Sequence, residues 1–361
     1  MLKDKLVRWF SRSTPDRATN VNAALPFTLA TDVGLSREEN QDRVGAIRVL
    51  PNSPDIAPFL VIAIADGMGG MRDGALCAIH TLAAFFSELA TNEIPDQGRR
   101  LALAADRANA EVFDLFGGAG GATLSAICIN STGAAALVNI GDSRIYGVGN
   151  DPASVRRLTV DDSLEEAVGG HGRDLLQFVG MGPSLRAHVS DISADVHRLL
   201  ITSDGIHFIS HEALCGVFLN APDIYRVTER LIALARWCGA PDNASLAAVN
   251  FDVLKSLFEP EFDTPVSVWD PFSCFEIFYP KEQLSKSVGA SGKAASAVKK
   301  GAGSQSPQPE GGALVEKKTR KRRPKKESIQ SKSTSDGPQL VIEIDDDRDP
   351  TASEKSGETS T

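Results

Sequence analysis

Three apolar runs in this sequence end in the same way: "VIAIADG" at Asp66, "LVNIGDS" at Asp142 and "LLITSDG" at Asp204. Each run of Val, Ile, Leu and Ala reads as a strand whose faces are both covered. Each then stops on a carboxylate followed by a small residue. One such acid is ordinary turn chemistry, since Asp favours tight turns and Gly supplies their backbone freedom. Several acids that converge are different, because like charges repel and a buried carboxylate is costly unless something pairs with it. Two more acids extend the pattern: Asp42 in "REENQD", placed near the end of the first strand region, and Asp242 in "APDNAS", just before a strand.

The strands are bunched. "PFTLATDV", "FLVIAIA", "ATLSAICIN", "AAALVNIG", "RIYGVGN", "HRLLITS" and "SLAAVNF" are strand candidates, several of them joined by turns as short as "NSTG". Short turns make antiparallel neighbours. Helical spacing appears in "DGALCAIHTLAAFFSELA", "GRRLALAADRANAEVFDLF" and "PDIYRVTERLIALARWC". The order favours an α+β fold of antiparallel sheets covered by helices over a doubly wound parallel sheet.

Five carboxylates around strand ends are an oxygen-only donor set, which suits Mg2+ or Mn2+ with waters completing the shell. His80, His171, His188, His197, His207 and His211 show no ligand spacing, and the five cysteines form no CxxC pair. Scattered cysteines read as reduced and mostly buried, which points to a cytoplasmic protein. The net charge of −9 argues against nucleic-acid binding by the chain as a whole. No apolar run reads as a membrane span, and "MLKDKLVRWFSRS" reads as a short amphipathic helix without a signal-peptide core.

Taken in order, the motifs resemble a known family. "TDVGLSREENQD", "ADGMGG", "GGATLSAICI", "NIGDSRIY", "LTVDDSL", "LLITSDGIHFIS" and "PDNAS" follow the sequence of motifs in the PP2C-type (PPM) metal-dependent protein serine/threonine phosphatases, in their bacterial-like form. The resemblance implies an α-β-β-α sandwich of two antiparallel sheets flanked by helices. It also implies hydrolysis of phosphoserine and phosphothreonine on proteins, opposing a kinase, with two Mn2+ or Mg2+ ions and a weaker third. Carried over by motif, Asp66 bridges two ions, the Gly67 carbonyl joins one shell, and Asp204 and Asp242 bind the other ion. Asp42 would hold a water of the metal shell, Asp142 would help hold the third ion, and Arg37 would bind the substrate phosphate. Plainer roles stay open from the residues alone: Arg37 as an exposed loop charge, Asp142 as a turn cap, and the whole chain as a pseudophosphatase binding module or a regulator tethered to an acidic partner by its basic tail.

Two departures stand out. Met68 occupies a position where many eukaryotic relatives carry His, and the family's D-H-S is Asp161-Asp162-Ser163 here. The chain divides into an N-terminal extension (1–26), the phosphatase-like domain (27–252), an aromatic segment packing on or near it (253–282) and a tail (283–361). The tail is too poor in apolar residues to fold, so disorder is expected. It carries a basic run, Lys317–Lys326, suited to an acidic partner, nucleic acid or nuclear import. It also carries an apolar-acidic stretch, Leu340–Asp347, suited to docking as an added strand.

Overall fold

The apolar runs become the inner strands of two stacked sheets. In the computed structural model the described residues are 2–22, 24–68, 73–151, 154–169, 174–258 and 265–277. They lie in the first of two compact units, Met1–Ala294; the second, Ala295–Thr361, holds none of them. Gly69, Gly70, His171, Lys317–Lys326, Leu340–Asp347 and the whole of 283–361 therefore lie outside the described residues.

Among the described residues the strands are β1 (Arg17–Thr19), β2 (Phe27–Asp32), β3 (Asp42–Val49), β4 (Phe59–Asp66), β5 (Leu124–Asn130), β6 (Ala135–Ile140), β7 (Arg144–Val148), β8 (Val155–Arg157), β9 (His188–Ile192), β10 (Arg198–Thr202), β11 (Ala244–Asn250), β12 (Val266–Trp269) and β13 (Cys274–Ile277). They form a six-stranded sheet, β1-β2-β11-β10-β7-β8, and a seven-stranded sheet, β13-β12-β3-β4-β5-β6-β9. Every pairing is antiparallel. The helices are α1 (Leu2–Phe10), α2 (Gly74–Thr91), α3 (Gln97–Phe116), α4 (Leu164–Val168), α5 (Asp204–His207), α6 (His211–Asn220) and α7 (Ile224–Trp237).

Strand periodicity explains why β4 is apolar at every position before Asp66. Leu60, Ile62 and Ile64 point into the core between the sheets, with Leu29, Ile145, Ile201 and Val249 of the facing sheet. Val61, Ala63 and Ala65 point the other way, onto Leu82, Phe85 and Phe86 of α2 and Leu101 of α3. A third core joins the outer face of the six-stranded sheet to Leu214 and Phe218 of α6 and Val227 and Leu231 of α7. The layers are helix, sheet, sheet, helix. Asp96 and Asp223 cap α3 and α7 by accepting the N–H groups of Arg99 and Arg226.

Four features differ from the sequence expectation. Asp42 begins a strand rather than ending a strand region. α1 is built into the core: Leu6 is fully buried and Phe10 lies 6.1 Å from Phe86, ring centre to ring centre. β12 is a member of the seven-stranded sheet, paired with β3 from Val266 to Trp269. Finally, α2 is long and apolar enough to cross a membrane, yet it is a core helix, 67% buried inside the protein.

Candidate metal centre

The site forms where strand ends from both sheets meet. Asp42 and Asp66 are direct cross-strand partners on β3 and β4. The Asp66 backbone is fixed by Thr123, whose Oγ1 accepts the Asp66 N–H at 3.0 Å and whose N–H donates to the Asp66 carbonyl at 2.8 Å. Asp42 Oδ2 accepts from Ser203 Oγ at 2.8 Å. The Ser203 hydroxyl oxygen also accepts the Ser245 N–H at 2.9 Å, joining β11 to the start of α5, where Asp204 sits.

Asp242 lies in the loop before β11. Its neighbour Asn243 pins the loop that carries Arg37. Asn243 Nδ2 donates to the carbonyls of Val33 and Glu39, each at 2.9 Å, and Oδ1 accepts the Gln41 N–H at 2.8 Å. This leaves Arg37 exposed at the mouth of the site, donating to Asp242 Oδ2 at 2.6 Å.

The electrostatics are those of crowded acids. Burial raises the Asp66 carboxyl well above its ordinary range, and the charges of Asp42, Asp204, Asp142 and Asp242 push it further. Burial also lifts Asp42 to about 6, against the Ser203 hydrogen bond that favours the anion. Asp142 is pushed up to about 7 by burial and then by the charges of Asp204 and Asp161. Arg37 is a cation among them, its charged form favoured first by the bond to Asp242.

These residues fit a divalent-cation site. Asp42 Oδ1 is buried and accepts no hydrogen bond, a costly state for a carboxylate oxygen unless a cation or bound water meets it. Asp66 stands among four other acids, an arrangement that added positive charge would relieve. Gly67 is obligatory in this turn: a Cβ there would fall 2.3 Å from the Gly74 carbonyl oxygen. The ring is open rather than a closed cage. Among the described residues no three His, Cys, Asp or Glu side chains stand as a ready ligand group.

The fold that carries this arrangement has counterparts among known proteins. No family model matches the chain. The chain is 27% identical over 253 residues to the serine/threonine protein phosphatase PstP of Mycobacterium tuberculosis, across 64% of this chain and 46% of PstP. It thus spans about half the length of the curated relatives it matches. Among solved structures, the PPM Ser-Thr phosphatase MsPP of Mycobacterium smegmatis, in complex with cacodylate, is 28% identical. The match has a TM-score of 0.52 and covers 63% of this chain and 98% of that one. In sequence and fold the chain is similar to the PPM serine/threonine phosphatases. The catalytic domain of PstP in complex with two manganese ions shares the fold at 24% identity and a TM-score of 0.52, over 65% of this chain and 98% of that one.

The PPM fold thus brings Asp42, Asp66, Asp142, Asp204, Asp242, Gly67 and Arg37 into one neighbourhood. The sequence gives no comparable signal for Ser203, Thr123 or Asn243. Their hydroxyl and amide groups hold the acids through contacts between strands far apart in the chain.

Proposed function

We propose that the chain hydrolyses phosphoserine and phosphothreonine on proteins, with Mn2+ or Mg2+ as its resident cation. The observation that carries the reading is the ring of Asp42, Asp66, Asp142, Asp204 and Asp242, with the Arg37 guanidinium at its mouth. When bound, divalent cations lower the pKa of water and neutralise phosphoryl oxygens, which a phosphomonoester dianion otherwise withholds from an incoming nucleophile.

The chain's own residues supply position and charge. Asp66, Asp204, Asp242 and the Gly67 carbonyl would hold two cations, and Asp142 a third. Asp42 is oriented by Ser203, leaving Oδ1 to accept a proton from water. Arg37 can fork onto two phosphate oxygens once its bond to Asp242 is released. The opposing partner would be a serine/threonine kinase and the setting cytoplasmic, or nuclear in a eukaryotic host. Leu340–Asp347 would serve as a docking strand and Lys317–Lys326 as a contact for an acidic partner or nucleic acid; both rest on sequence pattern alone. The same proposal puts the catalytic residues in 27–252, on a sheet whose edge β12 and β13 complete.

The deciding experiment is release of phosphate from a phosphothreonine peptide with and without Mn2+, with Asp66→Asn as the blank. Mn2+-dependent release lost in the variant supports the reading. Equal release by both proteins, or none by the wild type, overturns it.

A further inference from the structure

Asp162 is nearly buried and joins three separate pieces of the fold. Its Oδ2 accepts the Gly141 N–H at 3.0 Å. Its Oδ1 accepts from Gln177 Nε2 at 2.8 Å and pairs with His188 Nε2 of β9, also at 2.8 Å. The Gln177 amide is oriented by the Arg186 N–H, which donates to Oε1 at 2.7 Å and so turns Nε2 toward Asp162. The Asp162 backbone adds two bonds: its N–H donates to the Gly141 carbonyl at 3.0 Å, and its carbonyl accepts the Leu176 N–H at 2.7 Å.

Gly141 and its neighbours have little freedom to move. Gly141 takes φ +96°, and a Cβ there would fall 2.7 Å from Thr123 Cγ2. Ser143 Oγ lies 2.9 Å from Thr123 Oγ1, the same oxygen that accepts the Asp66 N–H. The loop carrying Asp142 is therefore held between Thr123 on one side and Asp162 on the other. The chain neighbours of Asp162, Asp161 and Ser163, line a cavity of about 270 Å3 that also contains Asp142 and Asp204.

We propose that Asp162 is a positioning residue that sets Asp142 through Gly141 and couples it, through Gln177 and His188, to the segment 174–177 beside the cavity. The inference rests on the phosphatase reading only for its kinetic arm. One carboxylate does two separable things. The bond to Gly141 fixes the metal-facing loop. The bonds to Gln177 and His188 tie down the segment 174–177, which pairs through Leu175 with Ser163 in the cavity lining. A purely structural acid would change stability alone. A positioning acid changes two functions, and different substitutions separate them.

The test uses the full chain with Asp162→Ala, Asp162→Asn and His188→Ala. Amide hydrogen exchange is followed over residues 139–145, Mn2+ binding by calorimetry, and KM and kcat on a phosphothreonine peptide. Asp162→Ala is expected to speed exchange around Gly141 by at least about tenfold, the loss of a local opening barrier. It should weaken the weakest Mn2+ step by at least about fivefold, the lower range of coupling between sites. Asp162→Asn keeps an oxygen for Gly141 and should restore exchange and Mn2+ binding while KM stays raised. His188→Ala should raise KM with Mn2+ binding unchanged.

Wild-type exchange and Mn2+ binding in Asp162→Ala would overturn the proposal, as would a wild-type KM in His188→Ala. Should Asp162→Ala not fold, the contrast between Asp162→Asn and His188→Ala decides the matter by the same readouts. Absence of peptide turnover by the wild type would count against the phosphatase reading, while exchange and Mn2+ titration still judge the clamp.

Discussion

Arg37 and Asp242 are joined by a 2.6 Å charged hydrogen bond across 205 residues of sequence. One partner is proposed to hold phosphate and the other a cation, so the two roles compete for the same contact. Cation binding at Asp242 would release the guanidinium to face the substrate. Metal loading and phosphate recognition are then linked through one ion pair, exposed enough to exchange readily.

Arg37→Ala should lower kcat/KM on a phosphothreonine peptide by roughly 10- to 1,000-fold, the scale of a lost charged contact in the transition state. Mn2+ affinity should be unchanged or tighter, because Asp242 loses its competitor. Lysine should restore part of the rate, since it returns the charge without the fork. Steady-state kinetics beside Mn2+ calorimetry check this. An unaltered kcat/KM in the alanine variant would leave Arg37 as a surface charge.

Asp66→Asn and Asp204→Asn should each reduce kcat by at least about 10²-fold, as when a key electrostatic stabiliser is lost. The fold should hold. Asp66 is repelled by Asp42, Asp204, Asp142 and Asp242, so removing its charge relieves strain when no metal is bound. Thermal melts in chelator are the check: a melting temperature well below wild type would make these acids structural.

The metal-free protein should lose stability as pH rises from about 4 to about 7. Asp42 is raised from 3.8 to about 6 and Asp142 from 3.8 to about 7, first by burial in both cases. In that window the folded protein binds more protons than the unfolded chain, so ionisation favours unfolding. The site's stability is fullest near pH 4 and falls as the pH climbs through the folded values. Saturating Mn2+ should flatten or reverse the slope, because it binds the ionised acids. A melting temperature in chelator that rises across this window would contradict the assignment of buried, mutually repelling carboxylates.

Much of this was legible in the sequence, and the misses have physical causes. β4, β5, β6, β10 and β11 are buried on both faces and read as largely apolar runs. β3 hid because Arg43 and Arg48 interrupt it. Their charges are absorbed by contacts no local pattern reveals: Arg43 donates to the carbonyls of Phe10, Asn40 and Asp42, and Arg48 to the Leu257 carbonyl and Ser267 Oγ. β9 hid as an edge strand with mostly exposed side chains. Asp66, Asp142, Asp204 and Asp242 stood out because each adjoins a strong strand signal, and Asp42 through its motif "REENQD". Ser203, Thr123 and Asn243 did not, because a hydroxyl or amide gains its role from a partner 20 to 210 residues away; Asp162 showed only as a departure from a motif, its partners 15 to 26 residues away.

The position of β12 sets the last expectation, about where the catalytic unit ends. Its partner is β3, in register from Val266 opposite Val49 to Trp269 opposite Ala46. Val266 and Val268 are 3% and 0% exposed, and the Trp269 ring meets Phe27 edge-on at 5.5 Å. β3 begins with Asp42, so loss of β12 exposes the strand that presents a site carboxylate. It also opens both cores, to which Val268 and Trp269 contribute. A chain stopped after Glu282 should keep Mn2+-dependent turnover of a short phosphopeptide within about twofold of the full chain, as no described contact to the site is removed. A chain stopped after Asp252 should lose it, together with a cooperative thermal transition. The two truncations, compared by melting and peptide assay, place the boundary. Full activity in the shorter chain would return residues 265–277 to the role of an attached segment, and loss of activity in the longer one would move the catalytic unit past residue 282.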